Sequence, residues 1–125
     1  MNLVDTNIFL EVLLQQEKSE KCKSFLSENM GTINISDFTL HSIGVILFKQ
    51  NATEVFSQFI SDTLPNVNLL SLPKDKYGNI AKAKKKHNLD FDDAYQYRIC
   101  KYYDLKFITM DRDFRNIKDI EVQFL

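Results

Sequence analysis

The stretch LDFDDAYQYRICKYYDLKFITMDRDF, residues 89–114, decides the fold class predicted for the whole chain. It begins as a helix with three carboxylates at its entrance, and these are Asp90, Asp92 and Asp93. A short apolar strand, Lys106–Thr109, follows the helix and leads into two more acids, Asp111 and Asp113. In a parallel α/β sheet, the carboxyl ends of strands and the amino ends of helices share one edge, where such folds hold ligands. That edge is the candidate functional site.

Asp93 stands out among these acids because of its place in the helical pattern. One stripe of 3.6-residue period contains Asp93, Tyr97, Cys100 and Asp104. The stripe should face the sheet, with Asp93 at its head. Alternatively, Asp93 is only a first-turn carboxylate behind a cap at Asp90, stabilised by the helix dipole by about 0.3–1 kcal/mol. This alternative suits Asp90 or Asp92 better, because a buried acid near another acid costs about 1–4 kcal/mol at ~4 Å. A bound cation would remove that cost.

Strands and helices alternate along the rest of the chain. Strands are predicted at residues 3–4, 32–35, 67–72, 106–109 and 120–124. Helix starts or caps are predicted at Thr6 or Asn7, Ser19, Ser36 or Asp37, Thr53 and Pro73, and the second helix should end near Gly31. This alternation predicts a three-layer α/β/α sandwich with a mostly parallel five-stranded sheet. The third helix is apolar on most sides and the fourth has an apolar inner side, and the two adjacent helices together suggest a homodimer face.

Length and composition favour one domain, residues 1–125, with a substantial core. A chain of 125 residues with 44% hydrophobic residues buries roughly two thirds of its unfolded surface. Cys22 and Cys100 lie in unrelated helical patterns, so both are expected to be packing thiols in a reducing compartment. The uncharged run 38–48 is too short to span a bilayer. We therefore expect a cytoplasmic protein without membrane association.

A net charge of −1 excludes a strongly basic protein that holds nucleic acid through its overall field. A local basic patch is still present in the run KAKKKH, residues 82–87. Its cations either sit in solvent at the end of a helix, where they meet the helix dipole favourably, or contact phosphate. Because the run leads directly into the acidic helix entrance, Lys85 and Lys86 are candidates for substrate binding.

Three acids from distant parts of the chain converge on the same sheet edge. Asp5 follows the first strand, Asp93 opens the helix and Asp111 follows the fourth strand. Carboxylates without a cysteine or histidine cluster suit Mg²⁺ or Mn²⁺. Such an ion generates a hydroxide-like nucleophile and neutralises charge on a reacting phosphodiester. The reaction predicted from these residues is the hydrolysis of RNA.

At these positions the sequence resembles the PIN-domain family, the fold of many toxin ribonucleases in bacterial and archaeal toxin–antitoxin pairs. The resemblance rests on VDTNIF at residues 4–9, DDA at 92–94 and ITMDRDF at 108–114, and it extends over essentially the whole chain. It implies a metal-dependent endoribonuclease, often dimeric, with a possible antitoxin partner. The catalytic and metal-binding acids it implies are Asp5, Asp93 and Asp111. Asn7 and Thr109 match polar positions that support the site, although Asn7 could equally be a helix cap and Thr109 a strand end.

One position departs from the family pattern. Members usually carry Glu in a T-x-x-E motif early in the helix after strand two, whereas TLHS at residues 39–42 places Ser42 there. His41 either replaces the missing ligand or is an ordinary helix histidine, and Asp37 or Asp92 could supply the charge. Otherwise, Asp92 is expected to face solvent and Asp113 to cap the turn before Phe114.

The missing Glu leaves a second class of function open: a catalytically weak or inactive PIN-like module that binds RNA or a protein. A third class is a receiver-like domain that accepts a phosphoryl group, which places acids on the same sheet edge. That class needs an acid pair after strand one and a lysine after strand five, and the sequence has neither.

Overall fold

A computed structural model describes all residues of the chain, Met1–Leu125. The strands are β1 (Asn2–Val4), β2 (Ile33–Ser36), β3 (Asn68–Leu70), β4 (Lys106–Thr109) and β5 (Val122–Phe124). The helices are α1 (Thr6–Leu13), α2 (Ser19–Glu28), α3 (Asp37–Lys49), α4 (Thr53–Asp62), α5 (Gly78–His87) and α6 (Phe91–Tyr103). Short 3₁₀ turns lie at Met30–Thr32, Leu64–Asn66, Lys74–Lys76 and Arg112–Phe114. The predicted alternation of strands and helices is confirmed.

The five strands form one sheet in the order β3-β2-β1-β4-β5, and every neighbouring pair is parallel. The central pair aligns Leu3 with Phe107 and Val4 with Ile108. The chain moves outward from β1 through β2 to β3, and then returns to the other side of β1 with β4. The strand order therefore reverses between β1 and β4, and open α/β sheets bind ligands at the carboxyl end of such a switch point.

Each face of the sheet supports its own core. Leu3 and Phe107 point to the face covered by α5 and α6, while Val4 and Ile108 point to the face covered by α1 to α4. This alternation follows from the two-residue period of a strand. Both cysteines are free and buried, one in each core, as expected for packing thiols. The predicted three-layer α/β/α architecture is thus confirmed.

Several helix ends differ from the sequence prediction. Asp5, rather than Thr6 or Asn7, caps α1, because its carboxylate accepts a hydrogen bond from the Thr6 backbone N–H. Thr53 is the first residue of α4, and the preceding Ala52 makes no side-chain cap.

The ends of α2 and α6 also differ. The C-cap of α2 is Asn29, and Gly31 lies in the 3₁₀ turn that follows. Asp104 lies beyond the end of α6 in a left-handed conformation with φ 56°, so it does not continue the inward stripe. Asp90 precedes α6 as its N-cap residue, but its side chain makes no capping bond. Helix ends are decided by single hydrogen bonds and backbone angles, which periodicity does not encode.

A polar cluster closes the opposite edge of the sheet, where β1 and β4 begin. Asp119 precedes β5 and accepts a hydrogen bond from the Tyr97 hydroxyl. Lys86 Nζ lies 3.1 Å from the Asp119 carboxylate, and Lys101 Nζ lies 3.6 Å from it. Burial raises the pKa of Asp119, but the Tyr97 hydroxyl and the Lys86 ammonium outweigh burial and hold this pKa well below its usual range. The cluster ties α5 and α6 to the segment that enters β5.

We expect Tyr97→Phe to lower the free energy of unfolding by about 1.5–3 kcal/mol, the usual contribution of a hydrogen bond to a charged group. Urea unfolding at pH 7 measures the change. Tyr102→Phe is the matched control, since Tyr102 lies in the same helix and is 49% exposed. Equal losses in the two variants would contradict a role for the bond to Asp119.

No helix in the chain combines the length and the apolar character needed to cross a lipid bilayer.

Candidate metal centre

Three carboxylates cluster at the carboxyl edge of the sheet. Asp93 lies in the first turn of α6, and Asp111 and Asp113 follow β4. One oxygen from each carboxylate lies within 4.8 Å of the others. The structure thus brings together two of the three predicted acids, Asp93 and Asp111, and adds Asp113. The sequence suggested that Asp113 caps the turn before Phe114, and this is wrong. The Asp111 carboxylate caps the turn by accepting a hydrogen bond from the Asp113 N–H at 2.9 Å.

Asp5, the third predicted acid, lies beside this cluster and is held by four donors. Its Oδ1 accepts from the Thr6 N–H at 2.8 Å and from Gln96 Nε2 at 3.4 Å. Its Oδ2 accepts from Thr109 Oγ1 at 2.7 Å and from Asn7 Nδ2 at 3.3 Å. Asp5 is only 8% exposed, so these donors replace the water that a surface carboxylate would have. Its position is therefore fixed by the protein.

Thr109 connects Asp5 to the three-acid cluster. Its hydroxyl donates to Asp5 and also accepts from the Asp111 backbone N–H at 2.9 Å. One side chain at the switch point thereby sets the spacing of the acids that follow β1 and β4. Thr109 is fully buried, and its contacts are those of a residue that positions acids.

Asn7 contributes an oxygen without a partner. Its Nδ2 donates to Asp5, while its Oδ1 is buried and accepts no hydrogen bond. An unpaired buried acceptor costs about 1–3 kcal/mol, so a ligand or a water that satisfied Oδ1 would be favoured. Asn7 therefore does not cap α1, and its role in substrate binding stays a prediction.

The electrostatics of the cluster favour a cation. Burial raises the pKa of Asp93 to about 7, with further increases from the negative charges of Asp111, Asp5, Asp113 and Asp90. Burial also raises the pKa of Asp5, although hydrogen bonds from Thr109, Thr6 and Gln96 oppose the shift. Carboxylates placed so that they repel one another are stabilised when a positive charge binds between them.

The donor set fits a hard divalent ion. It consists of carboxylate oxygens, without histidine or cysteine, which is the ligand type that Mg²⁺ and Mn²⁺ prefer. The excess of negative charge and the unpaired Asn7 Oδ1 point the same way. Asp93, Asp111 and Asp113 are the residues that would hold the ion directly.

The residues considered as replacements for the missing Glu lie outside this cluster. Asp37, His41 and Asp92 are exposed, and none of them belongs to a group of potential ligands. Asp37 instead accepts a hydrogen bond from Tyr95 at 2.7 Å. Asp92 faces solvent, as expected. Ser42 is partly buried.

The predicted substrate lysines lie at the end of α5. Lys86 pairs with Asp119 and is thereby drawn toward the amino edge of the sheet, away from the acids. Lys85 is exposed and makes no ion pair. Contact of Lys85 and Lys86 with substrate stays a prediction.

Two residues of the site were not predicted as site residues from the sequence, although Asp113 was expected to cap a turn there. Asp113 could have been found, because acids at i and i+2 after a strand reach the same edge. Gln96 gives a weaker signal: it is a polar residue among apolar neighbours in the middle of α6, 1% exposed. Its Nε2 donates to Thr39 Oγ1 at 2.7 Å, and Thr39 also accepts from the Thr6 hydroxyl at 2.9 Å. This buried network holds Gln96 in contact with the Asp5 carboxylate.

Comparisons with known proteins identify the family of this chain. The sequence model of the PIN domain matches residues 3–120. A search of curated protein sequences finds no match to the chain.

Solved structures with the same fold cover nearly the whole chain. A chain in a toxin-antitoxin complex from Klebsiella pneumoniae is 21% identical, with a TM-score of 0.78 over 96% of this chain and 95% of that one. FitAcB from Neisseria gonorrhoeae is 19% identical, with a TM-score of 0.76 over 98% and 96%. VapC20 from Mycobacterium tuberculosis, a sarcin-ricin loop cleaving toxin, is 14% identical, with a TM-score of 0.81 over 98% of each chain. At these identities the likeness establishes the fold. The match to the family over residues 3–120, together with the acids at the switch point, shows that this chain belongs to the PIN-domain family.

Proposed function

We propose that this PIN domain is a divalent-metal-dependent endoribonuclease that hydrolyses phosphodiester bonds in RNA. The observation that carries the proposal is the cluster of Asp93, Asp111 and Asp113 beside Asp5, at the point where the strand order reverses. Four carboxylates at one sheet edge destabilise one another unless a cation is bound. Mg²⁺ or Mn²⁺ is the cofactor that this all-oxygen site favours.

A divalent ion, when bound, supplies Lewis-acid stabilisation of the phosphodiester and acidifies coordinated water. The chain's own residues fix where this happens. Thr109 locks Asp5 and the Asp111 backbone to the ends of two neighbouring strands, so the acids need little reorganisation when substrate arrives. Asn7 Oδ1 can accept a hydrogen bond from a water at the site. Asp5, Asp93 and Asp111 are the proposed catalytic residues, with Asp113 as an added ligand.

We further propose an antitoxin protein as a partner and a homodimer as the assembled form. The toxin-antitoxin complexes among the similar structures support the antitoxin partner.

The homodimer is supported by an apolar groove on α3 and α4, which is lined by Leu40, Gly44, Val45, Phe48 and Phe56. Phe48 is 56% exposed and Val45 is 42% exposed. Sedimentation of the protein and of Phe48→Lys tests the dimer, because a cation in the groove should favour the monomer.

Ser42 favours a second candidate function, an RNA- or protein-binding module with weak or no catalysis. The absent Glu removes one negative charge from the family pattern, which should weaken metal binding. Cleavage and binding separate the two candidates, because an inactive module would retain RNA or antitoxin without cutting RNA under any divalent ion.

We expect the purified protein to cut structured RNA in the presence of Mg²⁺ or Mn²⁺. Cutting should stop when EDTA is added, because EDTA removes the divalent ion that the carboxylates would bind. Denaturing gels of end-labelled RNA measure the products. Restoration of cutting by excess Mn²⁺ after EDTA is the control for irreversible loss. Cutting that continues in EDTA would contradict metal dependence, and no cutting with either ion would favour the binding module.

A further inference from the structure

An aromatic cluster lies next to the candidate metal centre, between the amino ends of α3 and α6. The Phe91 ring packs parallel to Tyr95, with 6.4 Å between ring centroids and 15° between planes. The Tyr77 ring also contacts Tyr95, with 5.7 Å between the ring centroids and 53° between the planes. A cavity of about 330 Å³ opens here, lined by Asp37, Phe38, His41, Tyr77, Phe91 and Tyr95. None of these residues takes part in the metal centre.

The floor of this aromatic pocket is rigid. Tyr95 is only 3% exposed, and its hydroxyl both accepts from the Leu72 backbone N–H at 3.0 Å and donates to Asp37 at 2.7 Å. Phe38 packs edge-on against the same ring, at 6.4 Å. The orientation of Tyr95 is therefore fixed before any ligand arrives, which reduces the entropy lost on binding.

The outer rings of the pocket are open to solvent. Phe91 is 59% exposed and Tyr77 is 45% exposed, although both sit on an anchored aromatic base. Phe91 and Tyr95 are also an i, i+4 pair, which stabilises a helix by only about 0.2–0.5 kcal/mol. Stabilisation of the helix by the Phe91–Tyr95 pair does not explain why aromatic rings surround an open cavity. A flat, apolar ligand of one-ring or two-ring size would cover them.

The place of the pocket and the chemistry of its walls indicate which class of ligand would fit. The pocket lies between the first turns of α3 and α6, so it opens at the same carboxyl edge of the sheet as the acids. The walls also carry the Asp37 carboxylate and the His41 imidazole, which can hydrogen-bond to polar edges. A nucleobase has a flat π-face and polar edges, and an unpaired base stacks on exposed aromatic side chains.

We propose that the aromatic pocket of Phe91, Tyr95 and Tyr77 is a subsite that stacks one unpaired base of single-stranded RNA beside the scissile phosphate. This inference rests on the proposed ribonuclease function and adds a base-binding subsite to it. Bases inside a duplex are stacked on one another and cannot enter the pocket.

The test measures RNA binding rather than cutting. All variants carry Asp93→Asn, so that the RNA stays intact, and a labelled ten-nucleotide single strand is titrated by fluorescence anisotropy. Phe91→Ala should weaken binding by about 5- to 100-fold, the usual effect of losing one base-aromatic stack. Phe91→Tyr should retain the affinity, while Phe91→Leu, which keeps apolar contact with Tyr95, should lose most of it. Binding of a matched RNA duplex should not change.

Tyr102→Ala is the control for removing an exposed aromatic elsewhere, because Tyr102 is 49% exposed at the other end of α6, outside the aromatic pocket. Thermal unfolding of each variant separates a binding effect from a folding effect. Equal affinities for Phe91→Ala and Tyr102→Ala, or full affinity in Phe91→Leu, would overturn the stacking subsite. If the unmodified protein cuts RNA but its single-strand affinity does not depend on Phe91, the subsite fails while the ribonuclease proposal stands. If single-strand binding depends on Phe91 but the unmodified protein does not cut RNA, the subsite stands and the ribonuclease proposal fails.

Discussion

Asp93→Asn should reduce metal-dependent RNA cleavage by about 100-fold or more. The asparagine side chain has nearly the same shape but lacks the charge that, with Asp111 and Asp113, would hold a divalent ion. The initial rate of cutting at a fixed Mn²⁺ concentration measures the loss. Weaker metal binding should also be visible directly, as a higher Mn²⁺ concentration for half-maximal effect in a binding titration without RNA.

Asp92→Asn is a closely matched control, because it removes the same charge one residue earlier in the same helix turn. Asp92 is exposed and lies outside the ligand cluster. Its substitution should change the rate only slightly, through long-range electrostatics that salt screens. Similar losses in the two variants would show that net charge near α6 matters rather than a ligand at Asp93. Full activity in Asp93→Asn would remove this residue from the catalytic set.

Metal-free protein should become less stable as the pH rises from about 4 to about 7. The pKa of Asp93 is raised to about 7 in the folded state by burial and neighbouring carboxylates, against 3.8 for the free side chain. Between these values the folded state binds more protons than the unfolded state, so the free energy of unfolding falls with increasing pH. The stabilising contribution is fully present below pH 4 and is lost above pH 7. Urea unfolding in EDTA across this range measures it.

Two comparisons isolate the origin of this pH dependence. In Asp93→Asn the fall in stability should be smaller, because the side chain does not titrate. In the unmodified protein at pH 7.5, Mg²⁺ or Mn²⁺ at 100 times its dissociation constant should stabilise by about 2.7 kcal/mol, or roughly 10 °C in Tm. An identical pH profile in Asp93→Asn, or no change in Tm with either ion, would contradict a cation site at the cluster.

The tertiary structure corrected the sequence prediction mainly at positions fixed by single contacts. Asp113 was expected to cap a turn, yet Asp111 makes the cap and Asp113 joins the ligand cluster. Gln96 was not predicted, because a buried glutamine in a helix carries no periodic signal until its partners, Thr39 and Asp5, are known. Lys86 was predicted to contact substrate, which stays a prediction; its ion pair with Asp119 comes from packing of α5 against the segment before β5 and could not be read from the sequence.

The sequence by itself determined the alternation of strands and helices, the parallel sheet and the edge on which Asp5, Asp93 and Asp111 lie. It does so because hydrophobic periodicity and strand ends are local properties of the chain. The tertiary structure alone decided which carboxylate oxygens lie within 4.8 Å of one another, which acid is buried, and that an open aromatic pocket lies beside them. These features depend on distances between residues as far apart in sequence as Asp5 and Thr109, and such distances are set by packing across the whole fold.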